Sequence, residues 1–257
     1  MENATGLSFA RYEYILLLGL CHAPSLLGEE NPFTNLSPEQ IAAAMERARQ
    51  SLQARHLVEV ADTGDVAISP PLSALVSVCA FPNYSLIATH TDAQGTRDVR
   101  FYHITNQLIV EDAVFEDGSH ILTRVPQASL VERVSTQFNL DCQPAAPANQ
   151  CRLLRTVLEE ARSNAASGGI EAAWERLQSA AMDKRTATQL AYALARPVSN
   201  SALGVVSYGN ELPPPSLGVL EAVNGLWLLR LTADGEHIEC IPTDAVALKQ
   251  LIADSIP

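Results

Sequence analysis

One order of local signals occurs twice along this 257-residue chain. Each time a helical pattern closes on proline, at Phe81-Pro82 and at Arg196-Pro197, and a strand pattern follows, Leu86 to Thr89 and Leu203 to Ser207. A polar or proline-rich connection comes next, Thr91 to Gly95 and Leu212 to Pro215. A strand then leads into Asn106-Gln107 or Asn224-Gly225, each followed by leucine. A further strand runs to Asp117-Gly118 or Asp234-Gly235, and one residue beyond each stands His120-Ile121 or His237-Ile238. The last strand is expected to stop at Pro126 or Pro242, and a closing helix follows, Ala128 to Phe138 or Asp244 to Ala253. The prolines 82 and 197, the asparagines 106 and 224, the glycines 118 and 235 and the prolines 126 and 242 stand 115, 118, 117 and 116 residues apart. So steady an offset with so few identities marks a repeated structure, not a tandem array of short repeats. The chain therefore reads as α+β, two helix, antiparallel β-meander, helix units. One spans 1–140 and the other 141–257, joined by a linker at Asn139 to Gln150 that carries Pro144 and Pro147.

The turns and helix ends have their own logic. Asn-Gly predicts a type I′ hairpin, whose two central residues both take positive φ. Ser37-Pro38-Glu39-Gln40 reads as an N-cap serine, a proline at the first helical position and a glutamine that can reach back, the pattern of a capping box. Ile41, Ala44, Met45, Ala48 and Leu52 then form one apolar stripe that ends near His56. Ser8 to Leu20 is apolar nearly all round and predicts a buried first helix. Leu57 to Val60 and Val66 to Ile68 predict a small hairpin, and Leu72 to Ala80 a helix after Pro70-Pro71. Leu153 to Ala161 and Ile170 to Ala181 predict two helices parted by Gly168-Gly169.

The two copies differ in their third strand. In the first, Leu108, Val110, Asp112 and Val114 alternate with Ile109, Glu111 and Ala113, so one face is mixed. In the second, Leu226 and Leu228 alternate with Trp227, Leu229 and Leu231, and both faces are apolar. A helix of the same chain or a partner protein must cover the second face. If a partner does, Trp227, Leu229 and Leu231 are the candidate partner-binding residues.

With 47% hydrophobic residues the chain can build a sizeable core without metal or disulfides. No apolar run approaches the roughly 20 residues of a membrane span, and no basic segment precedes the apolar stretch near the N-terminus, so a cytoplasmic protein is expected. Five cysteines without a CxxC pair suit reduced thiols, although Cys142 and Cys151 flank a loop and could pair. The net charge of −12, with only Lys184 and Lys249 as lysines, repels a polyanion.

The motifs of familiar enzymes are missing: GxSxG, GxxxxGK, HExxH and GxGxxG. No catalytic residue, cofactor or metal site is expected, and the reading is of a protein that is not an enzyme. His103, His120 and His237 lie near acidic residues on hairpins. Asp117 and Asp234, though, are explained by turn chemistry, and His120 and His237 by their place at a strand start. Cys21-His22, as helix neighbours, point in different directions and do not make a nucleophile with its base. The competing reading is a winged helix-turn-helix in the first seventy residues, a DNA-binding regulator whose face would carry Arg47, Arg49 and Arg55 with Gln50 and Gln53. Glu59, Asp62 and Asp65 in the candidate wing oppose it.

Tyr12-Glu13-Tyr14-Ile15-Leu16-Leu17-Leu18-Gly19, Ala23-Pro24-Ser25-Leu26-Leu27-Gly28 and above all Ser51-Leu52-Gln53-Ala54-Arg55-His56-Leu57 resemble the EspG family of cytosolic chaperones in type VII (ESX) secretion. That family typically has a leucine-rich helix ending in Arg-Gly-Leu, then a small hairpin and a helix closing on proline, as here at Phe81-Pro82. His56 stands where glycine is usual. The resemblance implies two pseudo-twofold-related units sharing a central antiparallel sheet with flanking helical bundles. It also implies no catalysis, and a chaperone or adaptor that holds a helical secretion substrate, a PE-PPE pair.

Overall fold

The computed structural model describes residues 6–24, 27, 32–140, 143–180, 182–208 and 216–256. The connection expected at Leu212 to Pro215, together with Cys142, lies outside them. Helices and antiparallel strands alternate as an α+β chain, grouped in two compact units. The first comprises Met1–Leu86, Arg100–Gln127 and Ser207–Asn210, the second Ile87–Val99, Ala128–Val206 and Glu211–Pro257.

The first unit opens with β1 (Leu7–Phe9) and α1 (Arg11–Leu20). The single helix expected from Ser8 is thus shortened. Leu7–Phe9 instead pairs antiparallel with the strand start at His120–Leu122, and three residues whose hydrogen-bond partners lie more than a hundred positions away carry no local strand signal. Helix α2 (Pro38–Ala54) begins where expected. Gln40 N–H donates to Ser37 Oγ at 3.3 Å, and Ser37 N–H donates to Gln40 Oε1 at 2.8 Å. The hairpin β2 (Val58–Val60) and β3 (Val66–Ile68) follows, then α3 (Pro70–Ala80), which starts on the prolines themselves because their missing N–H groups are not needed in a first turn.

Next come β4 (Tyr84–Asp92), β5 (Arg97–Ile104), β6 (Ile109–Val114) and β7 (His120–Val125). Strands β4 and β5 each contribute part of their length to either unit, and in the first the strand order is β1-β7-β6-β5-β4. Phe9, Val110 and Leu122 share one face and pack under α1 and α3 with Leu17, Leu18, Leu72 and Val76. Helix α2 lies on α1 and adds Leu52.

The second unit contains α4 (Leu130–Gln137), β8 (Cys151–Leu154), α5 (Arg155–Gln178) and α6 (Lys184–Ala195). It continues with β9 (Pro197–Ser207), β10 (Leu217–Ala222), β11 (Gly225–Leu231), β12 (His237–Thr243) and α7 (Ala245–Asp254). Its strand order is β4-β9-β10-β11-β12-β8, and α4 packs against α7. Helix α5 breaks at Gly169 (φ 76°, ψ −160°), so two helices meet at Gly168-Gly169 as read, but the first begins at Arg155, because Leu153 and Leu154, read as its start, pair with β12 as part of β8.

Both meanders keep the expected order, but their turns differ from the expected type. Neither Asn106, Gln107 nor Asn224 takes a positive φ, so no type I′ turn forms at either asparagine. At the second, Ala222 pairs with Gly225 across Val223-Asn224, and only Gly225 is positive, at 125°. At the first, Thr105 Oγ1 accepts from Leu108 N–H at 3.1 Å and holds the turn without a left-handed residue. Gly118 and Gly235, at φ 76° and 72°, instead sit inside turns in which Asp117 Oδ1 accepts from Ser119 N–H and Asp234 Oδ1 from Glu236 N–H, both at 2.9 Å.

Strand β12 also passes through Pro242 instead of stopping there. The bond from Thr232 N–H to His237 O makes residues 237, 239 and 241 the ones whose N–H groups face β11. Position 242 therefore faces the other way, where β8 has already ended opposite Cys240. A residue without an N–H fits there at no cost in ladder bonds.

Candidate functional site

Strand β11 lies between β10 and β12. Trp227, opposite Leu220 and Pro242, is 0% exposed in a cluster with Leu158, Ala161 and Ala165 of α5 and Leu190 and Ala191 of α6. Leu229 packs partly buried on the same cluster, and Leu231 is half-buried. Helices of the same chain thus cover this face, which leaves Trp227 no surface to offer a partner. Leu226 and Leu228, on the opposite face, are also buried.

The first copy's third strand, read as having one mixed face, is buried on both faces as well from Ile109 to Asp112. Glu111 and Asp112 of β6 are 4% and 2% exposed. Arg100 NH1 lies 2.8 Å from Glu111 Oε1. Asp112 sits with two histidines: His120 Nδ1 is 2.8 Å from Oδ1, and His103 Nε2 is 3.9 Å from Oδ2. Ser85 Oγ is 2.9 Å from His103 Nδ1, and the Tyr14 ring stacks on His120 at 4.0 Å between centroids. Burial pushes the Asp112 carboxyl up, but the two imidazoles beside it, His103 and His120, outweigh that and hold the group below its ordinary range. Burial, then the nearby Cys79 and Asp112, drive the Tyr14 phenol well above its usual value.

All three histidines read near acidic residues stand beside a carboxylate, but only two of them share one. Within the first unit the fold brings His103 and His120 to Asp112. His237 belongs to the second unit and bonds Asp234 Oδ2 at 3.0 Å. Sequence reading missed Ser85, Tyr14 and Cys79, because each reaches this cluster from a separate element. Ser85, His103 and Asp112 form a line of hydroxyl, imidazole and carboxylate, yet all three are at most 2% exposed, so a substrate has no path to the hydroxyl. Among the described residues no three His, Cys, Asp or Glu side chains are grouped to hold a metal ion.

The arginine face of α2 is engaged within the chain. Arg49 clasps Glu46 through Nε at 2.7 Å and NH2 at 2.6 Å, and it holds the Glu46 carboxyl down at about 2. Arg55 lies across the Phe9 ring, with NH1 3.1 Å from Glu13 Oε2 and NH2 donating to Ser8 O at 2.6 Å. It fastens the end of α2 to α1 and β1. Arg47 borders a shallow recess with Tyr12, Glu13 and Ser51. Two of the three arginines read as a nucleic-acid face are therefore matched to carboxylates of their own chain.

An open groove of about 430 Å³ in the first unit is lined by Ala74, Ser77 and Val78 of α3, by the Thr105–Leu108 turn and by Asn83. Two exposed aromatics are tied to its lining residues, Phe81 two positions before Asn83 in the chain and Tyr208 through a backbone bond. Phe81, 54% exposed, ends α3, and Tyr208, 43% exposed, donates its N–H to Asn83 O at 3.3 Å. Large aromatics left in water beside an apolar recess are characteristic of protein-binding surfaces.

The sequence model of the EspG family matches residues 17–254. No curated protein sequence matches the chain. Among solved structures, a chain of the Mycobacterium tuberculosis type VII secretion system chaperone EspG5 in complex with the PE25-PPE41 dimer is similar in fold. The TM-score is 0.69 at 14% identity, over 98% of this chain and 97% of that one. Among the described residues no helix is long and apolar enough to cross a membrane.

Proposed function

Because this chain belongs to the EspG family, we propose that it is a non-enzymatic secretion chaperone of the cytosol that holds a helical protein substrate before export. The observation that carries this reading is the family match over 17–254, nearly the whole chain. The solved structure of similar fold is of a chaperone in complex with a PE25-PPE41 dimer. That supports a PE-PPE-like helical pair as the class of partner. The groove between α3 and the Thr105–Leu108 turn, together with the exposed Phe81 and Tyr208 next to Asn83, is the surface we assign to the contact. Trp227 serves the core instead.

The test is co-expression of the full chain with PE-PPE pairs from its own host, followed by size-exclusion chromatography with light scattering. A stoichiometric complex with one of them is expected, and Phe81→Ala with Tyr208→Ala should reduce complex formation by tenfold or more, the loss of about 1.4 kcal/mol or more. Absence of a complex with every host pair would overturn the reading. A complex that forms equally well with the double variant would move the contact away from the groove and leave the chaperone reading in place.

A further inference from the structure

The two strands at the β8 side of the second unit set two thiols against each other. In the register of β8 with β12, Leu154 faces His237, Leu153 faces Ile238, Arg152 faces Glu239 and Cys151 faces Cys240. Arg155 N–H donates to Glu236 O at 2.7 Å, and antiparallel bonding alternates along the strands, so the pair 151/240 falls in the hydrogen-bonded class. Opposed Cα atoms in that class lie about 5.5 Å apart, within the usual span of a disulfide. Both side chains leave the sheet toward α5 and α6, since Cys240 is part of the core cluster beneath them and Cys151 packs on it. The pair is asymmetric. Cys240 is 0% exposed, whereas Cys151, the first residue of the outermost strand, is only partly buried.

We propose that Cys151 and Cys240 are a redox-reactive pair, with Cys151 attacking hydrogen peroxide and Cys240 resolving the product into an intramolecular disulfide. In the first step the Cys151 thiolate attacks one peroxide oxygen, the O–O bond breaks and hydroxide leaves, so Cys151 becomes a sulfenic acid. In the second, Cys240 sulfur displaces hydroxide from the Cys151 sulfur and the S–S bond forms. Two thiols are oxidised, one peroxide is reduced, and the protons from the thiols complete two waters. The electrostatics agree with the geometry. A hydrogen bond from Cys240 holds Cys151 below the usual thiol range against the opposing effects of burial and Asp183. The same contact, reinforced by burial, pushes Cys240 up. The reactive form, the thiolate, is therefore favoured on the accessible member over its buried partner. Closing the bond would fix β8, and with it the start of α5, to β12.

The assay is mapping of thiols in the full-length protein after hydrogen peroxide, with remaining thiols alkylated before non-reducing digestion and mass spectrometry. The expected product is a cross-linked peptide joining Cys151 to Cys240, with three of the five thiols retained and full reversal by dithiothreitol. In Cys240→Ser a sulfenic acid at Cys151, trapped by dimedone, should accumulate. Oxidation that leaves both residues alkylated, or that joins Cys151 to Cys142, would overturn the proposal. The mapping uses the unaltered chain, so its outcome does not depend on the variant folding.

Discussion

His56 has φ 55° at the end of α2, where Leu57 N–H reaches back to Leu52 O at 2.9 Å. This is the closing bond of a helix whose next residue is left-handed, a conformation that favours glycine. His22 after α1 and Asn139 after α4 have φ 57° and 55° and the same closure, from Ala23 to Leu18 and from Leu140 to Ser135. His56→Gly should therefore stabilise the protein by about 1 kcal/mol, seen as a higher urea midpoint at unchanged slope. Asp112 makes a different demand on the same unit. Its carboxyl is held below the ordinary value by the two histidines even though burial opposes this. A carboxyl depressed in the folded state stabilises it above the unfolded value near 3.9, and the contribution is lost as pH falls through the lower folded value. Urea unfolding from pH 7 to pH 3 should show that acid loss in the parent and much less of it in Asp112→Asn. The variant should start roughly 3 kcal/mol less stable at pH 7, because the histidines lose their buried partner.

Elements were legible where their causes are local. Ser37 and Gln40 satisfy each other's backbone N–H across one turn, so the start of α2 could be read from four residues. Ser37→Ala should cost about 1 kcal/mol, measurable by thermal melting. The meander order was legible for the same reason, since Asp117-Gly118 and Asp234-Gly235 carry their own turn chemistry. Elements with remote causes were hidden. Strand β1 exists because Leu7–Phe9 finds His120–Leu122, and nothing within three residues announces that. Pro242 looked like a strand end because its tolerance depends on where β8 stops. Acidic residues in β6 made one face read as mixed, since Arg100, His103 and His120 reach them only in the fold. The candidate site suffers likewise. Trp227 was recognisable as a buried-strand residue, but whether α5 and α6 or a partner supplied the cover is a tertiary fact. The groove beside α3 joins residues from three segments that no sequence window contains.

At the scale of the whole chain, charge and connectivity set the terms. A net charge of −12 opposes polyanions, and Arg49 and Arg55 are matched to Glu46 and Glu13. The proline-bearing stretch before β8 reads in the sequence as a tether, the natural place to divide the chain at residue 140. Its residues 143–146 are nonetheless bonded into the second unit. Pro144 O accepts from Leu226 N–H at 2.9 Å, Ala146 N–H donates to Leu226 O at 3.3 Å, and Gln143 O accepts from Ala245 N–H at 3.1 Å. This approach requires Gly225, where a Cβ would stand 2.6 Å from the Ala146 nitrogen. A protease, which must draw a cleavable stretch out into extended form, meets here a segment already stitched along its backbone. Thermolysin should leave the native chain uncut between residues 143 and 148, whereas Gly225→Ala, by forcing the strap off β11, should make that stretch the first to be nicked on a gel time course. What reads in the sequence as a linker is thus a seam within the second unit, and its integrity rests on one missing methyl group.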